Sequence, residues 1–293
     1  MTAPRWDLSI AYQSLDDEKI VLDIELIKQC IQVLNQHVER REINSVMQNA
    51  IQTKEAAGKL LATINTFAQC HGSIDATSSE AKALIGKLAK ISSELSQSYT
   101  PYQDTLSNAP LEFIQEVLDH ESGDVYGQAF QIACDRKVAN TKLSVAEEQL
   151  FSAMQVDGRD AWGRMYDNIT GALQIELNNG EIIGFSQAAS LLYGTDFEKQ
   201  ESAWRGIQQA MSVHQESFDA ILNALSGWRH TEYQKRSYQK NVHFLDPSLH
   251  QSRIAPATLD AMMETTKQHR DIGQKAGRLM GKVHGLSEMK PWN

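Results

Sequence analysis

The chain has 293 residues, enough for one large domain or two small ones with a sizeable buried core. With 41% hydrophobic residues and 6 prolines the composition is that of a globular protein, and no run of about 18 apolar residues offers a membrane span. The formal net charge of −9 denies it the broad positive field that nucleic acid or an anionic membrane surface requires.

In chain order, the first third reads as long amphipathic helices. Ile20, Ile24, Ile27, Ile31, Leu34 and Val38 follow steps of four and three, which places them on one helical stripe, with Ser14 and Asp17 where a cap would start it. A second helix is expected from Asn44 to Cys70, with Met47, Ile51, Leu60, Ile64 and Phe67 inward and His71-Gly72 marking its end. A third carries Leu84, Leu88, Ile91, Leu95, Tyr102 and Leu106. Pro101 predicts a kink or break near Tyr99-Thr100, because proline removes a donor and crowds the preceding turn. Stripes this narrow and long resemble coiled-coil seams, and helices joined by short loops would form an antiparallel hairpin or bundle. Ser107-Asn108-Ala109-Pro110 reads as a stop and restart, and a soft boundary is placed there: a helical bundle over 1–108 and a second helical part over 109–293, with one continuous lobe as the alternative.

Ser144 and Glu147 form a capping box ahead of Leu150 and Met154, and Asp157-Gly158 ends that helix before another over Ala161–Ile169. The period then changes. Leu173–Leu177 alternates, Asn178-Asn179-Gly180 turns, and Glu181–Phe185 follows, so one β-hairpin is expected near 172–185. Ser186 would cap a short helix over 187–192. A long helix is expected from Asp196 to about Tyr238, with Trp204, Ile207, Met211, Phe218, Ile221, Leu222 and Leu225 inward and Gly227 as a bend. Asp246-Pro247 and Ala255-Pro256 mark a loop. A final helix is expected over Ala257–Val283, with Gly285 as its cap. The fold class is all-α with one small hairpin.

Chemistry-bearing motifs are scarce. A zinc peptidase of the common kind places two histidines one helical turn apart with a glutamate beside the first, as His-Glu-x-x-His. His120-Glu121 opens that pattern, but Asp124 stands at its fifth position and Ser122-Gly123 disfavours the helix that would hold it. His37-Val38-Glu39 and His214-Gln215-Glu216 lack a second histidine in register. Gly277–Lys282 is too short for a phosphate loop, and Val283 stands where Ser or Thr is needed. Cys70-His71 are neighbours in sequence, which does not give a thiolate–imidazole pair its geometry. Cys30, Cys70 and Cys134 are odd in number and widely spaced, as free thiols in a reducing cytoplasm would be. Met1–Asp7 lacks the apolar core of a signal peptide, and the Asn168-Ile169-Thr170 sequon is taken as chance. Arg229, His230, Lys235, Arg236 and Lys240 read as a solvated helix face, and Trp162, Trp204, Trp228 and Phe218 as packing rather than a cofactor box. No catalytic, metal-binding or substrate-binding residue is assigned.

Four pieces, in order, resemble the amino-terminal half of oligoendopeptidase F. They are Trp6–Tyr12; Leu143–Ser152 leading into Ala161–Tyr166; the hairpin with Ser186–Leu192 and the Arg205-bearing helix; and Arg229–Arg236 with Tyr238 and Leu245-Asp246-Pro247. The resemblance implies a mostly helical lobe of a zinc metalloendopeptidase whose enclosed channel admits short peptides. It implies further that the zinc ligands and catalytic residues lie in a carboxy-terminal half that begins after this chain ends at Trp292-Asn293, on the same or a separate chain. No zinc residue carries over, so this chain alone should be inactive and hold no cofactor. An exposed apolar surface is then expected where Met262, Met263, Ile272, Leu279, Met280 and Val283 would pack on the absent lobe. Two other readings stand beside it. One is a stand-alone helical module that binds peptides or a partner helix without turnover. The other is a scaffold that pairs with another copy through a seam at Ile27 and Ile31.

Overall fold

The computed structural model describes residues 6–119, 125 and 127–292. The described residues are helical apart from one two-stranded sheet, as the periodicity predicts. They fall into two compact units, 1–164 with 225–242, and 165–224 with 243–293. The boundary expected near 108 lies inside the first unit, at the loop after its third helix.

The first unit is built on α1 (Glu18–His37), α2 (Asn44–Ile74) and α3 (Ser79–Asn108). Asp17 accepts a hydrogen bond from the Lys19 amide and so starts α1. The isoleucine stripe packs inward against α2 and α3, with Ile27 wholly buried. Those seams are therefore satisfied within the chain, and Ile27 and Ile31 are not available to pair two copies. Helix α2 runs past His71-Gly72 to Ile74, because the competing stop lies further on: the Asp75 side chain accepts from the Thr77 amide and hydroxyl, and Ser78 caps α3. Buried polar groups in this core are paired, Tyr12 Oη donating to Asp23 and Tyr102 Oη to the Leu34 carbonyl. Burial, reinforced by Asp23, pushes the Tyr12 phenol well above its ordinary value.

Helix α3 does not break at Pro101. Proline leaves the carbonyl of Gln97 without its i+4 donor. The side-chain amide of Gln149 supplies one from the neighbouring helix, Nε2 to O at 2.9 Å. A tertiary hydrogen bond thus replaces the missing helical one, and α3 continues to Asn108. Short helices α4 (Leu111–Leu118) and α5 (Ala129–Lys137) follow, with Pro110 opening α4 as the restart predicts.

Helix α6 (Val145–Asp157) begins with the expected capping box, in which Ser144 and Glu147 satisfy each other's backbone amides. Ser93 Oγ donates to the Ser152 carbonyl at 2.8 Å and fixes α6 on α3 beside the Gln149 bond. Helix α7 spans Arg159–Ala172, longer at both ends than expected.

In the second unit, β1 (Gln174–Glu176) pairs antiparallel with β2 (Ile182–Gly184), Ile175 opposite Ile183. Gly180 takes the left-handed conformation, φ 81°, that the turn demands. Helix α8 (Phe185–Leu191) is capped at Gly184, whose amide donates to the Gln187 side-chain oxygen, so the cap lies two residues before Ser186. Helix α9 (Phe197–Ser212) starts on Asp196 and lies on β1 at Gly206, where a Cβ would stand 2.6 Å from the Glu176 carbonyl oxygen. A cluster of Leu173, Ile175, Leu177, Ala188, Ala203 and Ile207 forms the core.

The single helix expected from Asp196 to Tyr238 is two, α9 and α10 (Gln215–Arg236), and the chain departs from helix at Val213-His214 rather than bending at Gly227. Leu222 is exposed, against expectation. Asp246-Pro247 opens a short helix, α11 (Asp246–Ser252), because proline is well placed in a first turn. The final helix is also two, α12 (Pro256–Gln268) and α13 (Arg270–Val283), and Gly285 closes the second at φ 70°. All six residues expected on an apolar surface, Met262, Met263, Ile272, Leu279, Met280 and Val283, are exposed.

The Gln149–Gln97 bond generates a prediction. Gln149→Leu leaves a partly buried carbonyl unpaired and should cost about 1–3 kcal/mol in urea unfolding of the chain. Pro101→Ala restores the helical donor and should recover most of that loss in the double variant. If Gln149→Leu costs as much in the Pro101→Ala background as it does in the natural chain, the Gln149 bond does not serve the proline.

Candidate functional site

A cleft of about 300 Å³ in the first unit, walled by α3, α6 and the end of α10, gathers several ionisable groups. Serine and threonine line the α3 wall (Ser92, Ser96, Thr100), and Phe151 and Val156 line the α6 wall. Arg236 is its central charge. Its Nη2 donates to Glu148 Oε2 at 3.0 Å and its Nε to Glu232 Oε1 at 2.9 Å, and Nη1 also binds Glu148. The Glu148 carboxylate accepts further from the Leu143 amide at 2.9 Å. Burial opposes the charge on Arg236, but the hydrogen bonds and charges of Glu148 and Glu232 outweigh it and hold the guanidinium above its ordinary value. The Arg236 side chain is only 19% exposed, so removing one partner would leave an uncompensated, mostly buried charge.

Lys142 is the second cation in the cleft, donating from Nζ to Ser107 Oγ at 2.7 Å. Burial lowers its pKa, with Asp135, Glu148 and Asp104 pulling the other way. Tyr238 donates to the Lys142 carbonyl, and Trp228 meets Phe151 edge-on at 5.0 Å, so residues 225–242 are tied to the cleft at three levels. The indole N–H of Trp228 is buried and has no hydrogen-bond partner among the described residues. The cleft can hold a polar ligand by hydrogen bonds and charge, and its two cations and the carboxylates of Asp104, Glu148, Asp160 and Glu232 make it amphoteric.

The residues considered from sequence are dispersed. His120, Glu121 and Asp124 lie outside the described residues. Among the described residues, no group of three His, Cys, Asp or Glu side chains is arranged to hold a metal ion. His37 closes α1, and His214 lies 6.3 Å from the Phe218 ring in the second unit. The His71 ring packs tilted against Phe67, with centroids 4.6 Å apart. Gly277–Lys282 is helical rather than a loop. The three cysteines are free, and burial raises the Cys30 thiol. Of the basic group, Arg229, His230, Lys235 and Lys240 are exposed, as a solvated face requires, but Arg236 turns into the cleft. Trp162, Trp204, Trp228 and Phe218 are half-buried in packing, Phe218 against Tyr166 at 5.6 Å. The Glu148–Arg236 pair was not legible in advance, since 88 residues separate its members.

No helix among the described residues is long and apolar enough to cross a membrane. The architecture of the described residues is a helical fold with one small hairpin and a polar cleft. Among solved structures it is similar to oligoendopeptidase-F from Enterococcus faecium, with a TM-score of 0.74 and 16% identity over 94% of this chain and 55% of that one. It is also similar to a candidate peptidase from Chlamydophila abortus, with a TM-score of 0.57 and 12% identity over 98% of this chain and 48% of that one. The chain thus spans about half the length of the structures it matches. No protein-family model matches it, and no curated protein does. The resemblance to oligoendopeptidase F read from the residues holds at the level of the fold.

The cleft yields two tests. Arg236→Gln leaves Glu148 and Glu232 partly buried without their cation and should destabilise the chain by about 2–4 kcal/mol in urea, while Arg236→Met with Glu148→Leu should cost less than either single change. Lys142 has a folded pKa below its ordinary 10.5, so the folded state binds its proton less readily than the unfolded state does. Its penalty is present in full below the folded pKa and is relieved as pH rises towards 10.5. The stability difference between wild type and Lys142→Met should therefore move in favour of wild type across that window, and a flat difference would contradict the burial of the ammonium.

Proposed function

We propose that this chain is the non-catalytic amino-terminal lobe of a zinc-dependent oligoendopeptidase that hydrolyses short peptides within an enclosed channel. The reading is supported above all by one observation: nearly all of this chain shares its fold with about half of an oligoendopeptidase-F. The remainder, on the same chain or another, would supply the zinc ligands, the ion and the attacking water. The described residues do not themselves fit a zinc ion, so no step of hydrolysis is assigned to them. Their role is structural and recognitive: one wall for the peptide and a surface for the catalytic half, in the cytoplasm.

The amphoteric cleft favours a second reading, a stand-alone module that binds peptides without turnover. The two readings separate in one assay. Internally quenched peptides are offered to the purified 293-residue chain and to the native product isolated from its source cells, each with and without a chelator. The lobe reading expects no cleavage by the purified chain and chelator-sensitive cleavage by the native product. A native product that binds peptides but never cleaves them would replace it with the binding module.

A further inference from the structure

Helices α12 and α13 bury almost nothing in this chain: α12 contributes no buried residue and α13 only Gly281. At 13 and 14 residues they fall in the range where an isolated helix is marginal in water and needs tertiary packing. Helix α13 is weaker still, because Gly273, Gly277 and Gly281 each disfavour a helix relative to alanine.

Their side chains are nevertheless sorted by face. On α13, Ile272, Ala276, Leu279, Met280 and Val283 recur at helical spacing and form one apolar stripe, and Met262 and Met263 form its counterpart on α12. Gly273 and Gly277 stand one turn apart beside the α13 stripe, and the space a Cβ would fill at either is open. Lys275, Arg278 and Lys282 line the other flank, all exposed, with Lys275 paired to Asp271 at 3.3 Å. Such a face suits close approach by another helix or apolar groove, with carboxylates along the Lys275–Lys282 side. An exposed, methionine-bearing apolar stripe of this kind suits an interaction site better than a solvated face.

We propose that residues 256–283 are the docking element for the catalytic remainder of the peptidase, and that the two helices become stably ordered only when that remainder covers them. The inference rests on the lobe reading above. Its occupant is an apolar, acid-rimmed surface of the part of the oligoendopeptidase fold that this chain does not span, about 45% of the solved Enterococcus faecium chain. The open glycine flank explains why residues costly to a free helix are present in α13: they admit the partner's backbone.

Amide hydrogen exchange tests this on the purified full chain and on the native product. In the purified chain, amides of 256–283 should exchange almost as fast as an unstructured peptide, while those of α1–α3 are protected. In the native product the same amides should be slowed by on the order of 100-fold or more, as expected for binding far above Kd. Gly273→Ala with Gly277→Ala should slow exchange in the purified chain by about fivefold per glycine, yet reduce recovery of the assembled product. Strong protection of 256–283 in the dilute, monomeric purified chain would overturn the proposal. So would protection that rises with the concentration of the purified chain alone, which would assign the face to a second copy. Zinc content and peptide cleavage of the native sample report on the lobe reading independently: an active, zinc-bearing product with 256–283 unprotected sinks the docking element and leaves the lobe reading standing.

Discussion

The first unit depends on how one carbonyl is satisfied. Pro101 strips the helical donor from Gln97, and Gln149 of α6 replaces it. Because the next residue toward the amino terminus, Glu148, grips Arg236, a single helix is held on one side by a backbone defect in α3 and on the other by a mostly buried ion pair. The cleft exists between those two attachments. Its polarity follows from the same fact: a buried arginine with two carboxylates requires further hydrogen bonds, which the Leu143 amide and the Thr141 carbonyl provide.

The long seams of α1, α2 and α3 were legible in the sequence because burial on one face leaves a 3.6-residue signature that needs no partner to read. The Ser144–Glu147 capping box, the Asn179-Gly180 turn and the Asp17 cap were legible for the same reason, each being a local hydrogen-bonding choice. What failed was non-local. Pro101 disfavours a helix in isolation, and the donor that replaces its missing one comes from a side chain 52 residues away from Gln97. The Val213-His214 and His269 interruptions carry neither proline nor glycine, so periodicity alone ran straight through them. The cleft was unreadable on similar grounds, since Glu148 and Arg236 belong to different helices and each looks in sequence like an ordinary surface charge.

The two units differ in how completely they satisfy themselves. The first closes a continuous apolar core and pairs the buried polar groups Tyr12, Asp23, Gln48 and Tyr102. The second has a small core around Ile175 and Ile207, then continues into two helices whose apolar stripes are uncovered. The exposure expected of that surface from the sequence is observed at all six residues. The chain's fold matches roughly half of an oligoendopeptidase-F.

The most direct test of the account is the intact mass of the native product in its source cells, measured under non-denaturing conditions. The account predicts an assembly of about twice the 32.8 kDa of this chain, made up by a catalytic remainder linked to it or bound beside it. A native species of 32.8 kDa, with the 256–283 helices as exposed as they are here, would contradict it and leave a self-sufficient helical protein in its place.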